Sequence, residues 1–146
     1  MTLDPSGVVP VPWPNGAGTT RELAMDRGPD GEVRWRVSVA DLTHSAPFSL
    51  FPGLDRLFVP MGAVRLVVDG TAVDLLPGEQ HRFAGEAAVE VVLAMPTRAL
   101  NVMTHRDLGR SPRVVLRPAR SAAPDTPDLH VLLGPIVADI HLEGLR

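Results

Sequence analysis

The sequence predicts an all-β domain of the sandwich or barrel kind, and three observations carry that prediction. Fifteen prolines and thirteen glycines are spread along all 146 residues, which breaks the chain into short pieces and disfavours long helices. Residues Val33–Ala40 alternate strictly, with Val33, Trp35, Val37 and Val39 set against Arg34, Arg36, Ser38 and Ala40, the period-two signature of a strand with one buried face. Turn signals recur about every eight to twelve residues, and no segment sustains helical periodicity. A chain of this length is expected to form one domain over residues 1–146 and to bury roughly two thirds of its unfolded surface.

In order along the chain, Val8-Val9-Pro10-Val11-Pro12 is held extended by its prolines and reads as an edge strand or entry arm. Trp13–Glu22 packs an aromatic, two glycines and several polar side chains into ten residues, and a strand is expected over Thr20–Met25. Asp30-Gly31 turns the chain into the alternating strand, whose Arg36/Ser38 face meets either water or a cavity. Ala46–Gly53 reads as an apolar loop, since its prolines interrupt any ladder. Asp55–Val59 is a strand, and Val64–Val68 with Thr71–Leu76 form a hairpin about Asp69-Gly70. Beyond Pro77-Gly78, Ala88–Met95 is expected as a strand buried on both faces and Leu100–Thr104 as a shorter one. Residues 1–106 hold the polar motifs, 107–128 read as a surface loop rich in proline and arginine, and 129–146 supply closing strands at Leu129–Leu133 and Ile136–Leu142.

Composition excludes several chemistries. There is no cysteine, lysine or tyrosine, so disulfides, thiolates, lysine Schiff bases and phenolic acids are absent. A net charge of -3 disfavours nucleic acid and anionic membrane surfaces as partners. No basic residue precedes Arg21 and no long apolar stretch follows, which leads us to expect a cytoplasmic protein without a membrane span.

The five histidines, His44, His81, His105, His130 and His141, stand at no metal-ligand spacing, so no metal and no cofactor are expected. Pro77-Gly78-Glu79-Gln80-His81 loosely resembles the second histidine motif of cupins, but the first has no counterpart. Ser38 and Ser49 lack a nucleophile-elbow context, and Gly16-Ala17-Gly18 fits neither phosphate-loop spacing. Arginine and asparagine are more informative. Arg21, Arg36 and Arg56 lie on or beside strands near glycine-bearing loops, and Asn101 occupies a strand where asparagine is disfavoured. An inward arginine must reach solvent, pair with a carboxylate such as Glu22 or Asp55, or await an anionic ligand.

Five motifs taken together resemble the HutD/Ves family. They are Trp13-Pro-Asn15-Gly16-x-Gly18-x-Thr20-Arg21-Glu22, Trp35-Arg36-x-Ser38-x-Ala40, Phe48-Ser49-x-Phe51-Pro52-Gly53-x-Asp55-Arg56, Phe83-x-Gly85-Glu86 and Asn101-Val-Met103. The likeness covers residues 11–106 in the family's order. It implies a cupin-like (RmlC-like) jelly-roll barrel of antiparallel strands, in a bicupin-type arrangement whose second half is shortened here. It also implies an association with bacterial histidine utilisation and binding of a small anionic intermediate such as N-formylglutamate or urocanate, without the usual cupin metal ligands. Glu86 stands where the family usually has aspartate.

The resulting expectation is a metal-free barrel that binds a small carboxylate-bearing metabolite and serves a regulatory or accessory role. Arg36 and Arg56, with Arg21 as a third candidate, would grip carboxylates through the guanidinium fork. Asn15, Ser38 and Asn101 would orient the ligand, with Glu22, Asp55 and His81 in support. Trp13, Trp35, Phe48 and Phe51 read as core. The alternative is a metal-independent isomerase or hydrolase using Glu22, Asp55 or His81 for proton transfer. A homodimer formed through edge strands or the Val8–Pro12 arm is also expected.

Overall fold

The computed structural model describes residues 1–142, all strand and turn apart from two single-turn 3-10 segments at Pro5–Gly7 and Arg106–Leu108. The strands are β1 Thr2–Leu3, β2 Val11–Pro12, β3 Gly18–Arg27, β4 Val33–Leu42, β5 Ala46–Pro47, β6 Leu54–Pro60, β7 Val64–Val68, β8 Thr71–Leu75, β9 His81–Ala84, β10 Val89–Val92, β11 Thr97–His105, β12 Arg113–Pro118, β13 Leu129–Leu133 and β14 Ile136–His141. They form a six-stranded sheet ordered β2-β3-β4-β11-β6-β9 and two four-stranded sheets, β5-β10-β7-β8 and β1-β13-β14-β12. Pairing is antiparallel except between β1 and β13.

The six-stranded sheet is the middle layer, and alternation along its strands divides two cores. Val37 and Val39 of β4, Leu57 and Val59 of β6, and Leu100 and Val102 of β11 pack against Val114, Leu129, Val131 and Ile140 of the β1-β13-β14-β12 sheet. The opposite face sends Ala40, Leu42, Phe58 and Ala99 against Val64, Leu66, Leu75, Val89 and Val91. Two sheets thus curl into a barrel, while the third braces its outer wall. Between Glu22 and Ala24 the register of β3 against β4 shifts. This bulge lets both Leu23 and Ala24 pack on the outer core.

Several elements differ from expectation. Residues 107–128 are not all loop, because Arg113–Pro118 forms β12 and pairs along its full length with β14. Val114 and Leu116 face the core there, an amphipathic alternation masked by the flanking arginines and prolines. β10 spans only Val89–Val92 and alternates buried with exposed residues, so it is not buried on both faces. β11 is the long central strand, with β4 and β6 on either side. β9 was not anticipated. The Asp69-Gly70 turn behaves as expected, with φ of 47° and 83° giving the left-handed pair that a two-residue hairpin needs. Residues 143–146 of the closing segment lie outside the described residues.

Candidate functional site

Strand register builds the site row by row on the barrel face of the middle sheet. Glu22, Ser38, Asn101 and Phe58 lie side by side across β3, β4, β11 and β6, and Arg36, Met103, Arg56 and Phe83 form the adjacent row across β4, β11, β6 and β9. Above these rows is a cavity of about 380 Å³. Glu22, Arg36, Ser38, Arg56, Asn101 and Met103 line its floor, and Trp13, Phe48 and Phe51 supply apolar walls from the entry arm and from the strap Phe48–Gly53.

Arg56 is the electrostatic centre. It is 6% exposed, yet it meets no carboxylate among the described residues. Its two terminal nitrogens donate to Asn101 Oδ1 at 3.2 Å and to the Ser49 carbonyl at 3.4 Å, while Nε has no partner. The guanidinium carbon stands 5.0 Å from the ring centroids of Phe48 and Phe83 and 5.3 Å from that of Phe51, a cation held by aromatic faces. Burial, reinforced by the like charge of Arg36, lowers its pKa to about 10.

The neighbouring groups are also donors. Arg36 donates from Nε to Glu22 Oε1 at 2.9 Å and lies 5.8 Å from the Phe51 ring. Since the Arg56 donor can only meet an oxygen, it fixes the Asn101 amide with Nδ2–H directed elsewhere. Ser38 is buried beside it. Trp13 donates from Nε1 to Thr20 Oγ1 at 2.7 Å and meets Phe48 edge-on at 6.0 Å. The floor is therefore rich in donors and short of acceptors, a chemistry suited to anions.

The cavity gathers Arg36, Ser38, Arg56, Asn101 and Glu22, but not the other residues singled out from the sequence. Arg21 precedes Glu22 by one position and so faces the opposite side. There it pairs with Asp41, which also accepts from Arg98 Nε at 3.1 Å, and donates to the Val8 carbonyl at 3.2 Å. Asp41 is held below the ordinary carboxylate range: although burial opposes this, the two arginines outweigh it. Asp55 is adjacent to Arg56, faces away from it for the same reason, and pairs with Arg106 at 3.0 Å. Asn15 Oδ1 accepts from the Ala17 amide at 3.0 Å and shapes a turn. His81 sits on β9 against Phe83, with ring centroids 6.2 Å apart, and is not part of the cavity wall. The aromatic cap over Arg56 was missed in the sequence. Its signal was two phenylalanines closely preceding a strand arginine.

No group of three or more His, Asp or Glu side chains among the described residues is arranged to hold a metal ion. Two guanidiniums facing one carboxylate do not fit the cation that cupin folds often carry. No helix among the described residues is long and apolar enough to cross a membrane.

Comparison with known proteins agrees with this architecture. A protein in the hutC 3′ region of Pseudomonas putida is 40% identical over 88 residues, covering 57% of this chain and 46% of that protein. Protein Ves of Citrobacter koseri is 32% identical over 100 residues, covering 65% of this chain and 52% of its own length. The chain thus spans about half the length of the curated relatives it matches. The structure of HutD from Pseudomonas fluorescens SBW25, in a formate condition, superposes with a TM-score of 0.68 at 29% identity, over 79% of this chain and 64% of that one. An RmlC-like cupin from Shewanella frigidimarina NCIMB 400 matches at TM-score 0.55 and 10% identity, over 68% of this chain and 86% of that one, and so shares the cupin-like fold. With the HutD family model matching residues 6–134, the chain belongs to the HutD family.

Proposed function

We propose that this cupin-like protein binds a small carboxylate-bearing metabolite in the barrel cavity, an anionic intermediate of histidine degradation of the N-formylglutamate or urocanate type, in a regulatory or accessory role. The observation that carries the reading is Arg56: a buried guanidinium without a carboxylate partner among the described residues, with Arg36, Asn101 and Ser38 beside it. A ligand carboxylate would supply the missing counter-charge, and the aromatic walls would cover the rest of a small molecule. The likeness to a protein in the hutC 3′ region supports the metabolic setting. Among the described residues of the cavity wall, Glu22 is the one carboxylate, while Asp55 and His81 lie outside it, which gives the isomerase or hydrolase alternative less support.

A thermal-shift panel of histidine, urocanate, formiminoglutamate and N-formylglutamate tests the reading. A ligand at about a hundred times its Kd adds roughly 2.7 kcal/mol and raises Tm by several degrees for a domain of this size. No shift with any of the four compounds overturns the proposal. Turnover of the stabilising compound, lost in Glu22→Gln, would establish an enzyme instead.

A further inference from the structure

We propose that Glu86 and Arg106 are positioning residues for the cavity, latching the strap Phe48–Gly53 so that Phe48 and Phe51 stay over the Arg56 guanidinium. The inference rests on Arg56 being the floor of an anion site, as argued above.

Neither residue touches the cavity, so any influence on a ligand is indirect, and the strap is the covering element that both of them hold. The strap is tied at its ends: the Phe48 amide donates to the Val89 carbonyl and the Phe51 amide to the Gly85 carbonyl, both at 2.8 Å. Between those ties Leu50 is 59% exposed, and the Ser49 carbonyl reaches Arg56 at 3.4 Å. The turn that ends the strap is gripped from both sides. The Gly53 amide donates to Glu86 Oε2 at 3.0 Å, and the Gly53 carbonyl accepts from the Arg106 amide at 2.9 Å.

Arg106 then closes the circuit with its side chain. It forks onto both Glu86 oxygens and donates from Nε to Asp55 Oδ1 at 3.1 Å. Glu86 is held down at about 2, chiefly by the Arg106 hydrogen bond and next by the Gly53 amide, so the pair stays ionised through the neutral range. Gly85 seals the seat, since a Cβ there would lie 2.1 Å from the Phe51 carbonyl oxygen. Ion pairs this exposed add little to global stability. What this one does is restrict a short apolar segment that covers a charged floor. Phe51 touches both arginines of the cavity, at 5.3 Å from Arg56 and 5.8 Å from Arg36, so a loosened turn would change the environment of both guanidiniums.

The test uses the full chain and phenylglyoxal, which modifies guanidiniums according to their accessibility, with sites mapped by mass spectrometry. In Glu86→Gln and in Arg106→Gln, Arg56 should react about threefold faster or more, as expected for easier local opening. Exposed Arg65 should keep its wild-type rate, and Glu86→Asp, which retains the charge, should return Arg56 towards wild type. Wild-type Arg56 reactivity in both variants overturns the latch. So does equal acceleration of every arginine in both, because the contacts would then hold the fold rather than the strap. A parallel formate titration, followed by tryptophan fluorescence, separates this claim from the one beneath it. If wild-type protein binds no formate while the variants still expose Arg56, the latch stands and the anion site fails. If all bind formate equally and Arg56 reactivity is unchanged, the anion site stands and the latch fails.

Discussion

Arg56 is a side chain that works against stability and, on the proposed function, for recognition. Burial lowers its pKa to about 10, a shift that corresponds to about 3 kcal/mol against folding, offset in part by the aromatic faces around it. The penalty is full below pH 10. It fades as pH rises above about 10, because there the unfolded chain holds the proton more tightly than the folded one. Arg56→Met should therefore leave stability within about 1 kcal/mol of wild type, or raise it, while abolishing any thermal shift produced by carboxylates. Urea unfolding and the ligand panel measure the two effects, and a large loss of stability would contradict the account. That a strand arginine beside Pro52-Gly53 could line a cavity was readable from residue type and neighbours, and Arg56 does line one. The cap was not, because phenylalanine in an apolar loop packs into cores far more often than it covers a cation.

At the level of elements, close approach sets the sharpest demands. A Cβ on Gly18 would lie 2.5 Å from the Asp41 carbonyl oxygen, so Gly18→Ala must push β3 from β4, at a cost of about 1–3 kcal/mol. Its Tm should fall by several degrees, while the cavity residues downstream remain paired as before. The turn after the strap gives a pH prediction. Glu86 contributes stability that is full above pH 4.5 and is lost as pH falls towards about 2, because folding depresses its pKa. Because the pair is exposed, acid-unfolding curves of wild type and Glu86→Gln should differ only slightly above pH 4.5 and converge near pH 2. The variant remains acid-sensitive through Asp41 and Asp139, which are also depressed. Alternation explains why some elements were legible and others were not. β4 announced itself through eight alternating residues, whereas β9 has four, too few to establish a period; β10 was expected, but its four residues were too few to reveal that only one face is buried. The same rule was underused for the site: neighbours such as Arg21 and Glu22, or Asp55 and Arg56, point to opposite faces of one strand and cannot both serve one cavity.

On the scale of the whole molecule, the two-sided middle sheet is what makes one face available for chemistry. The β1-β13-β14-β12 sheet packs the rear of the wall, where Asp139, 1% exposed, is bonded by Arg117 at 2.7 Å and His130 at 2.8 Å. The all-β class and the barrel were legible from periodicity, turns and motif order. The pairing of the C-terminal strands was not, since it depends on contacts distant in sequence. At the far edge, the arm leading into β2 leaves Val9 and Val11 83% and 64% exposed, the surface through which we propose a homodimer would form. Light scattering checks this, with Val11→Glu shifting a dimer towards monomer. A monomeric wild type would remove the arm from consideration. The register of the middle sheet has one more consequence. Arg36 and Arg56 are carried by strands two places apart, so their backbones stand about 10 Å from each other at ordinary strand spacing. That separation of the two Cα anchors is built into the ladder of peptide hydrogen bonds and does not depend on rotamers, while Glu22 and the aromatic walls hold the two guanidiniums at the ends of their side chains. If the proposed metabolite spans both arginines, it would be gauged for length as well as charge, and a homologue one methylene longer should produce a smaller thermal shift even when its carboxylate is identical.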